Sequence, residues 1–312
     1  MSVGGVALAL PEHIEPMLAK SGEPFDSHEH LFELKWDGVR AVAYVESGEL
    51  RMHGRRRRDL ATRYPELSFL AELPSGTVLD GELVVLHEDG RPDFRAMLSR
   101  ENASAARVDA ARRRHPVVYV VFDLLYERGA SLLDLPLAER RRRLAALVDA
   151  VGDARLMLSD GVVGQGLALF AAARERELEG IVAKRLDARY QPGERSGAWS
   201  KCKPTKTIHC LVLGYEPDAE RRDDFKSLIV ATDVDGELRC VGRVGSGIGE
   251  AARRQLRALL SKHAADRPLI DAGIDGAWVR PGIYCLVTYL ERTASGNLRA
   301  PVFKGLVAGG AS

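Results

Sequence analysis

A chain of 312 residues with 46% hydrophobic content is long enough for one large domain or two ordinary ones with real cores. Its 45 basic and 44 acidic residues nearly cancel, so any nucleic-acid role must come from local charge rather than from a global excess. Cys202, Cys210, Cys240 and Cys285 show no CxxC spacing and no paired histidines, so neither a zinc site nor a disulfide framework is suggested and a reduced cytoplasm fits.

The amino-terminal stretch "MSVGGVALALPEHIEPM" has an apolar patch without a basic flank, and no apolar run approaches a membrane span. A soluble, cytoplasmic protein is the expectation. Further along, "HLFELKW", "AVAYVE", "TVLDGELVVL" and "PVVYVVFDLL" alternate or are rich in β-branched residues and read as strands. "PELSFLAEL", "PLAERRRRLAALVDAV" and "GLALFAAARERELE" have helical spacing. Together they predict an α+β core. After "WSKCKPTK" the pattern changes to short antiparallel strands, "IHCLVLGYE", "KSLIVATDVDGELRCVGRVG" and "IYCLVTYLER", around one helix near Glu250 to His263. A small barrel of the OB type fits them. The division is placed near Lys206, giving domains of residues 1–206 and 207–312.

Arginine runs stand at Arg55 to Arg58, Arg112 to Arg114 and Arg140 to Arg143. Arg140 to Arg143 precede Leu144, Leu147, Val148 and Val151, which with Leu137 form an apolar helix stripe, so these arginines read as a solvated face. Arg55 to Arg58 read as a turn between a strand and the "YPEL" helix start, where a phosphate contact competes evenly with plain solvation.

In "FELKWDGVRA", Lys35 ends an apolar run and is followed by Trp-Asp-Gly and Arg40. A lysine attacks phosphorus only as the free amine, and such a site also needs cations for phosphates, a carboxylate for a divalent metal and a flat ring for a base. Asp80 and Glu82 in "LDGELVV" and Glu179 in "ELEGIVAKR" are carboxylates among apolar residues, which is costly unless they are paired or metal-bound. Ion pairing alone is the plain alternative. Glu82 and Glu179 each adjoin a glycine, which admits close approach of backbone or ligand. Lys184 follows in "AKR", and Lys201 and Lys203 in "WSKCKP" are spaced to share one side of an extended segment. Phe122 in "VVFDLLY" reads, from its own segment, as ordinary core packing.

A lone K-x-D-G is a weak signal. "ELKWDGVRA", "VLDGELVVL", "YVVFDLLY", "LEGIVAKR" and "WSKCKP", in this order and spacing, resemble the nucleotidyltransferase motifs of ATP-dependent DNA ligases, most closely the small bacterial type associated with end joining (LigC/LigD-like). The resemblance covers nearly the whole chain. It implies an α+β nucleotidyltransferase domain of ATP-grasp-like character followed by an OB-fold β-barrel domain, with ATP and magnesium or manganese as cofactors. By the same match, Lys35 is the nucleophile that takes AMP from ATP. Glu33 and Arg40 help seat the nucleotide, Asp37 and Gly38 shape the turn, Glu82 binds the ribose and shares the metal with Glu179, and Phe122 stacks on adenine. Lys184, Lys201 and Lys203 face the phosphates, and Arg55 meets the 5′-phosphate of a nick. The serine usual before that arginine is Gly54 here.

The carboxyl-terminal half resembles the family through "VGRVGSGIG" and "TASGNLRAPVFKGL" but ends in "VAGGAS". Val307, Gly309 and Gly310 occupy places where the family commonly carries an Arg-x-Asp-Lys element that organises the leaving pyrophosphate, so the expectation is either slow self-adenylation or substitution by Arg299 and Lys304. The implied substrate is nicked or broken duplex DNA, acted on by a monomer with end-joining or repair proteins as partners and no membrane. An RNA ligase or GTP-using capping enzyme shares the K-x-D-G logic, and a DNA end-binding protein weakened in catalysis is the rival from another class. An NAD-dependent ligase is disfavoured, since that family carries further modules and a zinc-binding cysteine cluster.

Overall fold

The computed structural model describes residues 9–54, 57–221, 224–293 and 295–307. The chain separates into two compact units, residues 1–203 and 204–312. Among the described residues no helix is long and apolar enough to cross a membrane.

The first unit is built on two sheets. One has the order β1 (Leu18–Ser21), β11 (Arg195–Cys202), β10 (Ile181–Arg185), β2 (His30–Leu34) and β9 (Gly161–Val163). The other has the order β4 (Glu49–His53), β3 (Val39–Glu46), β5 (Thr77–Val84), β6 (Val118–Glu127) and β7 (Ala130–Ser131), with β8 (Leu156–Leu158) parallel to β6. The period-2 pattern of β3 divides its side chains cleanly. Ala41, Ala43 and Val45 enter the core that Leu67, Leu70, Met97 and Leu144 complete, whereas Val42 and Tyr44 enter a second core with Phe122, Tyr190 and Trp199. Because Trp199 lies on β11, this second core joins the two sheets.

Helices close the outer faces. α1 (Phe94–Glu101) and α3 (Leu137–Val151) cover the β3–β6 side, while α2 (Val108–Arg114) follows α1. α4 (Gly166–Glu175) lays Leu169, Phe170 and Ala173 on Phe32, Ile181 and Ala183 of the other sheet. The "PELSFLAEL" stretch is helical as expected but winds as a 3-10 helix, Pro65–Glu72, and α1 and α2 have no counterpart in the sequence reading.

The arginine run on α3 corrects the expectation of a solvated face. Arg140 is fully buried and grips Asp123 through Nε at 2.7 Å and Nη2 at 2.9 Å, and also donates to the carbonyls of Leu135 and Ala188. Arg141 is also turned inward, and only Arg142 and Arg143 point out, pairing with Glu139. The physical reason is helical phase: Arg140 stands three residues after Leu137 and four before Leu144, both buried, so it belongs to the apolar stripe itself. Its partner explains the burial. Asp123 is the cross-strand neighbour of Asp80, and two like charges in that position repel unless each is neutralised. Arg140→Leu should therefore cost about 3–5 kcal/mol of stability by stranding Asp123, with much of the loss recovered when Asp123→Leu is added. Urea unfolding of both variants checks this, and a single-variant loss below about 1 kcal/mol would contradict it.

The second unit holds, among its described residues, one seven-stranded sheet, in the order β14 (Glu237–Val244), β13 (Phe225–Val234), β12 (Lys206–Pro217), β16 (Ala277–Val279) and β15 (Ala264–Ala265), with β17 (Tyr284–Tyr289) pairing β12 and β18 (Val302–Val307). The long β12 changes partner along its length, from β17 at residues 206–211 to β16 at Gly214 and Tyr215. α5 (Glu250–Lys262) sits between β14 and β15 in sequence and seats Leu256 and Leu260 in the core.

Candidate active site

Lys35 stands just beyond β2, its N–H donating to the Gly180 carbonyl at 2.9 Å. That bond sets the amine beside Glu179: Lys35 Nζ lies 2.6 Å from Glu179 Oε2, and Lys203 Nζ lies 2.5 Å from Oε1. All three side chains keep between 19% and 26% of their surface exposed, so the group is held by charge but reachable. Lys201 joins the cluster, its pKa lowered by burial and then by Arg195, Lys203 and Lys35 around it. Three ammonium groups around one carboxylate leave a local positive excess, which suits an anion.

Glycines make this geometry possible. A Cβ on Gly38 would stand 2.1 Å from the Leu83 carbonyl oxygen and 3.1 Å from Glu82 Cγ, so the K-x-D-G turn presses directly on β5 and lies against Glu82. Gly180 has a φ of +129°, and a Cβ there would meet the Cys202 oxygen at 2.1 Å. The glycines beside Glu82 and Glu179 thus serve backbone approach: Gly81 abuts the Val120 oxygen as Gly180 abuts Cys202.

A second group lies between the sheets. Phe122 on β6 is 7% exposed and belongs to the shared core, with Lys184 Nζ 4.0 Å and Arg40 Cζ 4.4 Å from its ring centroid and Trp199 edge-on at 6.1 Å. Lys184 is buried against Glu33, with which it forms an ion pair, and burial, followed by the charge of Arg141, lowers its pKa despite that partner. Lys184 therefore departs from Lys201 and Lys203: the ammonium that was expected to face the phosphates stands on the ring side. Arg40 forms a two-pronged pair with Asp80, Nε at 2.6 Å and Nη2 at 2.5 Å, and Tyr190 donates its hydroxyl to the same carboxylate at 2.6 Å. Burial opposes the charge on Arg40, but Asp80 outweighs it and raises the arginine pKa.

Sequence reasoning singled out Asp80 without giving it a partner, and it missed Arg141, Ser159, Tyr190 and Trp199. Arg141 reaches Glu33 at 3.2 Å and the carbonyls of Phe122 and Ser159, while the Trp36 indole donates to the Ser159 hydroxyl at 3.0 Å. No period or motif announces such contacts, because they join residues far apart in the chain.

The other predicted residues lie outside the described residues or in the second unit. Arg55 lies outside the described residues, as do Gly309 and Gly310; its neighbour Arg58 is ion-paired with Glu101. Arg299 and Lys304 belong to the second unit, where Arg299 is ion-paired with Glu291 and Lys304 is exposed on β18. Val307 ends β18 opposite Tyr284. Among the described residues no three His, Cys, Asp or Glu side chains gather as a metal cage.

Known proteins bear directly on this arrangement. Residues 16–203 match the model of the ATP dependent DNA ligase domain, and residues 221–307 match that of the ATP dependent DNA ligase C terminal region. The LigD multifunctional non-homologous end joining protein of Mycolicibacterium smegmatis is 34% identical over 96% of this chain and that of Pseudomonas aeruginosa 36% over 95%, although the chain spans only 39% and 36% of those proteins. The SPbeta prophage-derived DNA ligase-like protein LigB of Bacillus subtilis is 30% identical, with 93% of this chain matched to 98% of that one. The solved ligase domain from M. tuberculosis LigD superposes with a TM-score of 0.57 at 32% identity, covering 94% of this chain and 95% of its own. The two units are accordingly the nucleotidyltransferase and OB-fold domains of that architecture, and the chain belongs to the ATP-dependent DNA ligases.

Proposed function

We propose that this chain seals nicks between a 5′-phosphate and a 3′-hydroxyl in duplex DNA through a lysyl-AMP intermediate on Lys35, within DNA repair or end joining. The observation that carries the reading is the Lys35–Glu179–Lys203 contact, with Lys201 alongside, in the same unit as the group of Phe122, Glu33 and Lys184 between the sheets. In the first step Lys35 Nζ bonds to the α-phosphorus of ATP and the bond to pyrophosphate breaks. The nick's 5′-phosphate then displaces Lys35 from AMP, and the 3′-hydroxyl finally displaces AMP to form the phosphodiester.

Glu179 orients the nucleophile, Lys201 and Lys203 neutralise phosphate oxygens, and Glu33 and Phe122 receive the base, with Arg40 and Lys184 at the ring. Glu82, beside the Gly38 turn, takes the sugar in this reading. Glu179 is a partly exposed hard-oxygen donor without a surrounding cage, which fits magnesium or manganese carried largely by the nucleotide's phosphates and touched by Glu179, with Glu82 as the second carboxylate. Such an ion, when bound, offsets charge on the phosphates. Arg55 would contact the 5′-phosphate of the nick, and Arg299 and Lys304 would assist pyrophosphate departure.

The full chain incubated with ATP or GTP labelled at the α-phosphate, then run on a denaturing gel, tests the reading. A band from ATP that is chased by nicked duplex DNA is expected. A band from GTP alone would favour a capping-type enzyme, transfer to nicked RNA alone an RNA ligase, and no band a catalytically weakened end-binding protein.

A further inference from the structure

We propose that Arg141 is a positioning residue of the nucleotide site, acting through Glu33, Phe122 and Ser159 to set the base pocket for adenine; this rests on the reading of Lys35, Glu33 and Phe122 given above.

The four arginines of α3 have four different environments. Arg140 is fully buried on Asp123, and Arg142 and Arg143 face outward to Glu139. Arg141 alone among them is turned toward the pocket residues, with 12% of its side chain exposed. Its guanidinium reaches three separate segments: it forms an ion pair with Glu33 Oε1 on β2 at 3.2 Å and donates to the Phe122 carbonyl on β6 at 3.3 Å and to the Ser159 carbonyl just after β8 at 2.5 Å. β2 belongs to one sheet and β6 and β8 to the other, so one rigid fork ties the two walls of the pocket together.

The consequence for Glu33 is specific. Its two oxygens are divided between two cations, Oε1 facing Arg141 and Oε2 facing Lys184. A carboxylate held from both sides keeps a fixed plane. With Arg141 gone, Lys184 is the remaining cation at Glu33, and the carboxylate closes onto it. The Ser159 link extends the effect toward the nucleophile, because the Ser159 hydroxyl accepts from the indole of Trp36, the residue after Lys35. A carboxylate at the edge of a base accepts from the exocyclic amine of adenine, which guanine does not offer at the same place. Arg141 thereby determines whether Glu33 can recognise that amine.

The test measures initial rates of Lys35–AMP formation by the full chain, for wild type, Arg141→Met and Arg141→Lys, with ATP and with purine riboside triphosphate, which lacks the amine. Arg141→Met should raise KM for ATP by about 10-fold or more with a much smaller fall in kcat, as expected when a buried carboxylate loses one of its ion-pair partners. KM for purine riboside triphosphate should move far less. Arg141→Lys, which keeps the charge without the fork, should fall between the two. Equal losses with both nucleotides, or an unchanged KM accompanied by parallel losses in kcat and melting temperature, would reduce Arg141 to a purely structural role. If Arg141→Met does not fold, Arg141→Lys makes the same comparison. Wild-type protein that takes no label overturns the functional reading and the proposal with it, whereas labelled wild type with unaffected variants overturns only the proposal.

Discussion

Lys35→Ala is expected to abolish covalent AMP attachment, a loss of roughly 10⁴-fold or more, as when the nucleophile of a covalent mechanism is removed. The fold should survive. Lys35 is tied into the structure by its backbone bond to Gly180, which alanine retains, and Glu179 keeps Lys203 as a partner at 2.5 Å once the Lys35 amine is gone. The defect is therefore chemical rather than structural. Lys35→Arg provides the discriminating control, since guanidinium can still pair with Glu179 but stays protonated and cannot attack phosphorus. Both variants should melt near the wild-type temperature and take no label from α-phosphate-labelled ATP. A labelled band in either variant would show that another amine is the nucleophile, with Lys201 and Lys203 the first to examine.

Glu179→Gln should be the next most damaging change, slowing Lys35–AMP formation on the order of 10²-fold or more, the scale on which one electrostatic partner in an active site acts. Glu179 holds two ammonium groups on its two oxygens and stands beside a third, Lys201. Glutamine keeps the size but removes the negative charge, leaving Lys35, Lys201 and Lys203 to repel one another, so Lys35 leaves its place next to the phosphate site. Because these side chains remain partly exposed, the stability change should be small while the rate change is large. The measurement is single-turnover adenylation beside a thermal melt of the same sample. A rate within threefold or so of wild type would remove Glu179 from the site, since a lost charge-assisted contact is worth more than that.

The elements of the first unit were legible where the pattern was strong. The run "PVVYVVFDLL", apolar but for Asp123, lies in β6 and is buried along most of its length, and "PLAERRRRLAALVDAV" is α3. What misled was the assumption that four arginines in a row share one surface. On a helix each successive residue turns by about 100°, so adjacent arginines meet four different surroundings. Local charge spoke for solvent, and Arg140 went inward because Asp123, seventeen residues earlier on β6, needed a cation in a place water does not reach. Charge counting along the chain cannot register that demand, as it arises only when β5 and β6 pair and set Asp80 opposite Asp123.

The motifs and their order were a property of the sequence alone, and so were the residue types available for the chemistry: an amine at Lys35, carboxylates at Glu82 and Glu179, further amines at Lys201 and Lys203, and a ring at Phe122. Which of these meet was decided by the fold. Glu179, before β10, and Lys184, within it, stand five positions apart, enough to carry one to the amine cluster and the other to Phe122, so two residues of a single motif join different groups. Arg40, five residues after Lys35 in sequence, is bound instead to Asp80 across the adjoining strands. The physical reason is that chemistry resides in side chains, which sequence states directly, whereas neutralising a buried charge requires a partner brought near by sheet pairing and helix phase, often more than thirty residues away.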